Sequence, residues 1–173
     1  GTQSVFIAIA VISWLITIVT LTKIPAMMLR FILYILSHTF FRIKLEGVKH
    51  IPIKTGALIV TNHLSLIDSL LVVAAVPRMV RFVVHQKVYE HPMLYWWFKH
   101  LSIIPILPQG GPKALETFNK TCQDVINEGH VVCIFPEGKI TRTGQLNEFK
   151  KGIEHIAEGI DAPIIPMHMD NVI

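Results

Sequence analysis

The run Val131-Val132-Cys133-Ile134-Phe135 is unbroken apolar chain, set between Gly129 and the turn Pro136-Glu137-Gly138. A strand with one wet face alternates apolar and polar residues. An unbroken apolar strand belongs in a sheet covered on both faces. Such a sheet needs helices above and below it, and the rest of the chain supplies them. Ala57 to Thr61 reads as a second strand, Arg81 to Val84 and Ser102 to Ile106 as short ones, and Pro163 to Met169 as the last. Between them the spacing turns helical over 65–76, 92–100, 113–128 and 147–159, with Gly129 and Gly159 as stops. Arg42-Ile43-Lys44-Leu45-Glu46-Gly47 alternates polar and apolar and reads as a half-buried strand. The pattern predicts an α/β fold, a largely parallel or mixed sheet flanked by helices.

Ahead of this domain lies a different chemistry. Val5 to Thr22 is eighteen residues without a charge, near the ~20 needed to cross a bilayer. The charged fraction of the whole chain is 16% and the apolar fraction 51%, which also points to a membrane. Lys23, Arg30, Arg42 and Lys44 follow the run and no basic residue precedes it, so the globular part is expected on the cytoplasmic face. Pro25 breaks the run, and 25–41 reads as a separate interfacial or docking helix. The expected layout is a transmembrane segment at 1–24, that helix, and a domain over 42–173 cut short at its C-terminus. A buried core helix is the plain alternative for 1–24.

Sixteen basic against twelve acidic residues give +4, which suits an anionic lipid surface. The basic residues are scattered, so no nucleic-acid partner is expected. Cys122 and Cys133 have no metal spacing, the histidines have no ligand spacing with one another, and no metal is expected.

Asn62-His63-Leu64-Ser65-Leu66-Ile67-Asp68 lies where the strand at 57–61 hands over to a helix, a place where α/β proteins present chemistry. Two readings are open. Ser65 and Asp68 have the spacing of a capping box and would then simply start the helix. Alternatively, His63 stands before the helix, takes a proton from a substrate hydroxyl and is held in one tautomer by Asp68. No Gly-x-Ser-x-Gly sequence offers a protein nucleophile, so the substrate would supply the hydroxyl. Acyl transfer from a thioester to an alcohol is the natural reaction for that pair.

The second turn, Phe135-Pro136-Glu137-Gly138, ends a buried strand. Gly138 lets a ligand approach the backbone, and Lys139 and Arg142 follow. A glycine turn with basic neighbours is a phosphate grip, Arg142 offering a bidentate fork. An ordinary turn with solvated Lys139 and Arg142 is the alternative.

His63 and Asp68 in an H-x-x-x-x-D frame, Phe135-Pro136-Glu137-Gly138, and Ile165-Pro166 on a late strand together resemble the glycerolipid acyltransferases. These are the 1-acylglycerol-3-phosphate and lysophospholipid acyltransferases. The stretch Phe135 to Phe149 is similar to the acyltransferase part of the bacterial bifunctional 2-acylglycerophosphoethanolamine acyltransferase/acyl-carrier-protein synthetase, which in some bacteria is fused behind a lysophospholipid transporter. The resemblance implies an O-acyltransferase with no cofactor, acting at the bacterial inner membrane. It would carry a fatty acyl group from acyl carrier protein or coenzyme A to the free hydroxyl of a lysophospholipid in phospholipid remodelling. It assigns His63 as general base and Asp68 as its partner. Glu137, Gly138, Lys139 and Arg142 would bind substrate, Arg142 near the acceptor's phosphate, and Ile165-Pro166 would line the acyl region.

The chain departs from the family where an arginine usually ends a motif: it has Ile106-Leu107-Pro108-Gln109. That arginine helps to bind phosphate in the phosphatidate-forming members, so its absence favours a phosphodiester acceptor. The enzymatic alternative is a 1-acylglycerol-3-phosphate acyltransferase making phosphatidate. The alternative of another class is a non-catalytic lipid-binding module. Met93-Leu94-Tyr95-Trp96-Trp97-Phe98 reads either as an interface or acyl-chain surface or as core packing.

Overall fold

In a computed structural model of the chain the described backbone covers residues 2–39, 43–65, 67–141 and 145–170. Within 2–39 the described side chains are those of 2–17, 31, 35 and 39. The chain divides into two compact units, Gly1–Arg42 and Ile43–Ile173.

In the first unit, Thr2–Thr39 forms helix α1, one continuous run of 38 residues. Pro25 does not split it, so 25–39 continues α1 and is not a separate helix. A proline withholds a single N–H from the ladder and leaves the turns on either side bonded. The side chains described between 2 and 17 are exposed, Phe6 and Trp14 among them. Among the described residues no helix is long and apolar enough to cross a membrane, and the transmembrane reading of 1–24 rests on the sequence.

The second unit is built on five strands: β1 (Ala57–Thr61), β2 (Val80–His85), β3 (Ile104–Ile106), β4 (Val131–Ile134) and β5 (Ile164–Met167). Their order is β3-β2-β4-β1-β5 and each neighbouring pair is parallel. The helices are α2 (Asp68–Ala75), α3 (Gln86–Tyr89), α4 (Pro92–His100), α5 (Gly111–Asn127) and α6 (Gly152–Glu158). Strand periodicity sorts the side chains between two cores. Ala57, Ile59, Val131 and Cys133 pack with Val72 of α2 and Val76 just past its end on one face. Leu58, Val132 and Ile134 pack with Phe118, Cys122 and Ile126 of α5 and Ile156 of α6 on the other. All four residues of β4 are buried, as an unbroken apolar strand requires. Each fully buried aliphatic side chain contributes roughly 1.5–3 kcal/mol.

The edge where the strands begin is held by close packing. A Cβ on Gly56 would stand 1.8 Å from the carbonyl oxygen of Ile126, so only glycine lets α5 end against β1. Arg78 donates from Nη1 to Pro52 O and from Nη2 to Gly129 O, both at 2.7 Å, tying together the loops that enter β1 and β4.

Three of the elements read from the sequence change in the structure, and α3 has no counterpart among them. No strand forms at 43–47: residues 43–46 have no regular structure, Gly47 turns the chain at φ 73, and Val48–His50 follows as a short 3-10 turn. Leu45 stays 43% exposed, so the alternation there buries no face. Helix α2 starts at Asp68 and not at 65; in the turn ahead of it the Asp68 carboxylate accepts from the Leu64 and Ser65 N–H groups. Helix α6 starts at Gly152 and not at 147; ahead of it the N–H groups of Asn147 and Lys150 donate to Glu137 and Pro136.

Candidate active site

Strands β1 and β4 are parallel neighbours, with Val60 opposite Ile134. Their ends therefore deliver the two sequence turns to one place, the carboxyl edge of the sheet. Asn62 leaves β1 buried and clamped: its Nδ2 donates to Met169 O and its Oδ1 accepts from Met169 N, both at 2.8 Å. The turn is thereby fixed to the chain leaving β5.

His63 comes next, and its backbone is held on both sides by the turn after β4. Its N–H donates to Glu137 Oε1 at 3.0 Å, and its carbonyl accepts from Thr141 N at 2.9 Å. The imidazole stacks on Phe135, ring centres 4.2 Å apart. Its Nδ1 lies 2.8 Å from Asp68 Oδ2. Asp68 is fully buried while the His63 side chain keeps 21% of its exposure. With a carboxylate at Nδ1, that nitrogen is assigned the proton, and Nε2 carries the lone pair. The pair is thus oriented to accept a proton at Nε2.

Asp68 Oδ2 also accepts from Leu64 N at 2.6 Å and Ser65 N at 2.8 Å. Ser65 Oγ accepts from Ile67 N at 3.0 Å, and Ile67 stands at the N-cap position of α2. Half of the expected capping box is present: Asp68 reaches back to the Ser65 N–H, while the Ser65 hydroxyl turns to Ile67. Cap and pair are one structure, since the same carboxylate oxygen serves the turn and the imidazole. Its position at the start of α2 is also favourable for a negative charge.

Glu137 is 1% exposed. Its Oε2 accepts from Asn147 N at 2.9 Å and Asn147 Nδ2 at 2.7 Å, opposite the His63 contact at Oε1. Burial pushes its carboxyl pKa up, but the Asn147 backbone and side chain, the His63 N–H and the nearby imidazole outweigh it and hold the group below its ordinary 4.5. Both oxygens are occupied by the protein, so Glu137 is placed to support His63, where the resemblance gave it to substrate. Gly138 is exposed with φ 65, the left-handed region that favours glycine, and Lys139 beside it is exposed. Arg142 lies outside the described residues.

Three contributors were not singled out from sequence. Asn62 and Asn147 are the amides that fix the turns, and neither has a spacing signal. Lys150 is exposed and runs beside Gly138, where a Cβ would stand 3.9 Å from Lys150 Cγ and Cε. The Lys150-Lys151 pair was its visible signal. Ile165 and Pro166 lie on the edge strand β5, Ile165 packed against the core face shared with α2. Among the described residues no group of three His, Cys, Asp or Glu is placed to hold a metal ion. Burial raises the thiols of Cys122, to about 12, and Cys133, so neither is a nucleophile at neutral pH.

This geometry has relatives. Over 131 residues the chain is 26% identical to the chloroplastic 1-acyl-sn-glycerol-3-phosphate acyltransferase LPAT1 of Arabidopsis thaliana, covering 75% of this chain and 36% of that one. It is 32% identical over 116 residues to the 1-acyl-sn-glycerol-3-phosphate acyltransferase of Cocos nucifera, covering 65% and 37%. To the human alpha form it is 26% identical, covering 86% and 52%. The crystal structure of the 1-acyl-sn-glycerophosphate (LPA) acyltransferase from Thermotoga maritima superposes with a TM-score of 0.54 at 25% identity, over 70% of this chain and 47% of that one. The chain thus spans about a third to a half of the length of these curated relatives. The Acyltransferase family profile matches residues 42–170, the whole sheet and both turns, and the chain belongs to that family.

Proposed function

We propose that the chain carries the reaction centre of an O-acyltransferase, with His63 as general base and Asp68 as its orienting partner. The observation that carries this is the 2.8 Å contact between His63 Nδ1 and the buried Asp68, with the imidazole still partly open to solvent. His63 Nε2 takes the proton of a glycerol hydroxyl as that oxygen attacks the carbonyl of a fatty acyl thioester on acyl carrier protein or coenzyme A. The tetrahedral adduct collapses, the carbon–sulfur bond breaks, and the imidazolium returns the proton to the leaving thiolate. An ester and a free thiol result, and no cofactor enters.

The acceptor we place first is 1-acylglycerol 3-phosphate, giving phosphatidate, because the relatives that cover most of the domain carry that name. The lysophospholipid reading, with an acceptor such as 2-acylglycerophosphoethanolamine, stands second. It is favoured by Gln109, exposed beyond β3 where an arginine is usual, and by the resemblance over Phe135–Phe149. In either case Gly138, Lys139, Arg142 and Lys150 serve the acceptor's phosphate and Glu137 braces the base. The uncharged run at 5–22 would anchor the enzyme to a bacterial inner membrane, with the domain on the cytoplasmic face.

The test is acyl transfer in membranes holding the full chain, each acceptor paired with each thioester. Turnover of the phosphomonoester acceptor alone supports the first reading. Turnover of the phosphodiester acceptor alone reverses the order, and transfer to neither overturns the reaction itself.

A further inference from the structure

Helix α4 has no buried residue. Met93 is 77% exposed, Trp96 50%, Tyr95 45% and Trp97 42%. Phe98 is turned partly inward, its ring 6.1 Å from that of Tyr89 in α3, and Tyr95 meets the same ring edge-on at 5.7 Å. A helix at a water-facing surface sends its polar residues outward; α4 sends out two indoles, a phenol and a thioether. Val88 of α3 continues the patch, 46% exposed. A contiguous apolar surface of this kind meets a partner or another phase.

The charges around it select the phase. Lys87 precedes α4 in the chain and Lys99 lies in its last turn, and both are exposed, as are His91 and His100. The one acid in 86–100, Glu90, accepts a hydrogen bond from Gln86 Nε2 at 2.7 Å. Tryptophan and tyrosine over apolar side chains, rimmed by lysine, match the headgroup–acyl boundary of an anionic bilayer. Position agrees. Helix α3 begins directly where β2 ends, and β2 runs parallel to β4 and β1, so the α3–α4 pair leaves from the sheet edge that carries His63.

We infer that α4 is a membrane-contact helix: it inserts Met93, Trp96 and Trp97, which share one face at helical spacing, into an anionic lipid surface, with Lys87 and Lys99 among the headgroups. This is a contact of the globular unit in its own right, separate from any anchor at 5–22. It is read without turnover, so its failure is distinguishable from failure of the acyl-transfer reading.

The test uses the full chain with Trp14→Phe, which leaves Trp96 and Trp97 as the fluorophores of a chain with three tryptophans. Vesicles are made of phosphatidylcholine with and without phosphatidylglycerol, their acyl chains brominated. The expected result is a blue shift and strong quenching on the anionic vesicles. The K87E/K99E double variant, with both changes at exposed sites and an unaltered circular dichroism spectrum, should then show quenching at about tenfold higher lipid. Emission that brominated chains leave unchanged overturns the proposal, whether or not the protein sediments with the vesicles. A shift that follows protein concentration without lipid also overturns it, because a second copy then covers α4. Equal quenching on neutral and anionic vesicles overturns the assignment to an anionic surface.

Discussion

The main-chain N–H of His63 donates to Glu137 Oε1 at 3.0 Å, although the two residues are 74 apart in sequence. The second motif therefore holds the first by its backbone, and the imidazole is left to its contacts with Asp68 and Phe135. A side chain positioned in this way needs little reorganisation to react.

His63→Ala should lower the rate of acyl transfer by about a hundredfold to ten-thousandfold, the usual worth of a positioned general base. The side chain is partly exposed and its backbone contacts survive the change, so the melting temperature should move little. An unaltered rate would remove His63 as the base and favour a lipid-binding module.

Asp68→Asn and Asp68→Ala should separate catalysis from folding. The asparagine keeps an oxygen for the Leu64 and Ser65 N–H groups while losing the charge that orients His63. We expect a large fall in kcat with modest destabilisation. The alanine strands those N–H groups and should cost about 2–4 kcal/mol. Urea midpoints beside kcat check both; equal loss of stability in the two variants would contradict the scheme.

Glu137 makes the fold sensitive to acid. Its carboxyl sits below the ordinary 4.5 in the folded chain, where Asn147 and the His63 N–H bind the ionised form more strongly than burial penalises it. The unfolded chain binds the proton more tightly, so this stabilisation is present above pH 4.5 and is lost as pH falls through the lowered folded value. In Glu137→Gln the stability at neutral pH should drop, and the slope of stability against pH in that acid window should flatten. A slope equal to that of the unaltered chain would show that Glu137 does not carry it.

Lys139→Ala and Lys150→Ala should raise KM for a phosphate-bearing acceptor by about three- to tenfold each, with kcat changed far less, as loss of ground-state binding does. Both lysines are exposed around Gly138, so stability should stay within about 0.5 kcal/mol. An effect on kcat alone would place them elsewhere in the mechanism.

Gly56→Ala should destabilise the domain by at least about 2 kcal/mol, since the new methyl meets the Ile126 carbonyl at 1.8 Å. The strain falls where β1 begins, at the edge opposite His63. The rate per folded molecule should hold while the melting temperature drops. Loss of rate without loss of stability would contradict this separation.

Much of this was legible in the chain, for identifiable reasons. The unbroken apolar strand at 131–134 announced a sheet covered on both faces, and the strand-to-helix turns placed His63 and Glu137. Two helix starts were read too early: the segment ahead of α2 is a turn gathered on the Asp68 carboxylate by the Leu64 and Ser65 N–H groups, and the segment ahead of α6 is tied to Glu137 through Asn147. The clamp between Asn62 and Met169 joins residues 107 apart, and a contact of that range leaves no local spacing to find. The alternation at 42–47 misled because period two records only an opportunity to pair, and Gly47 turns the chain at φ 73 instead.

The strand order has a consequence for the making of the protein. The central neighbours β1 and β4 lie more than seventy residues apart, so a nascent chain holds β1, α2 and His63 long before the strand beside them has left the ribosome. Through that interval β1 shows an unpaired apolar edge, a template for association with other chains. The last central strand to emerge both closes that edge and brings Glu137 to the histidine. One edge of β1 is covered in the same step of synthesis that delivers Glu137, and its other edge waits for β5.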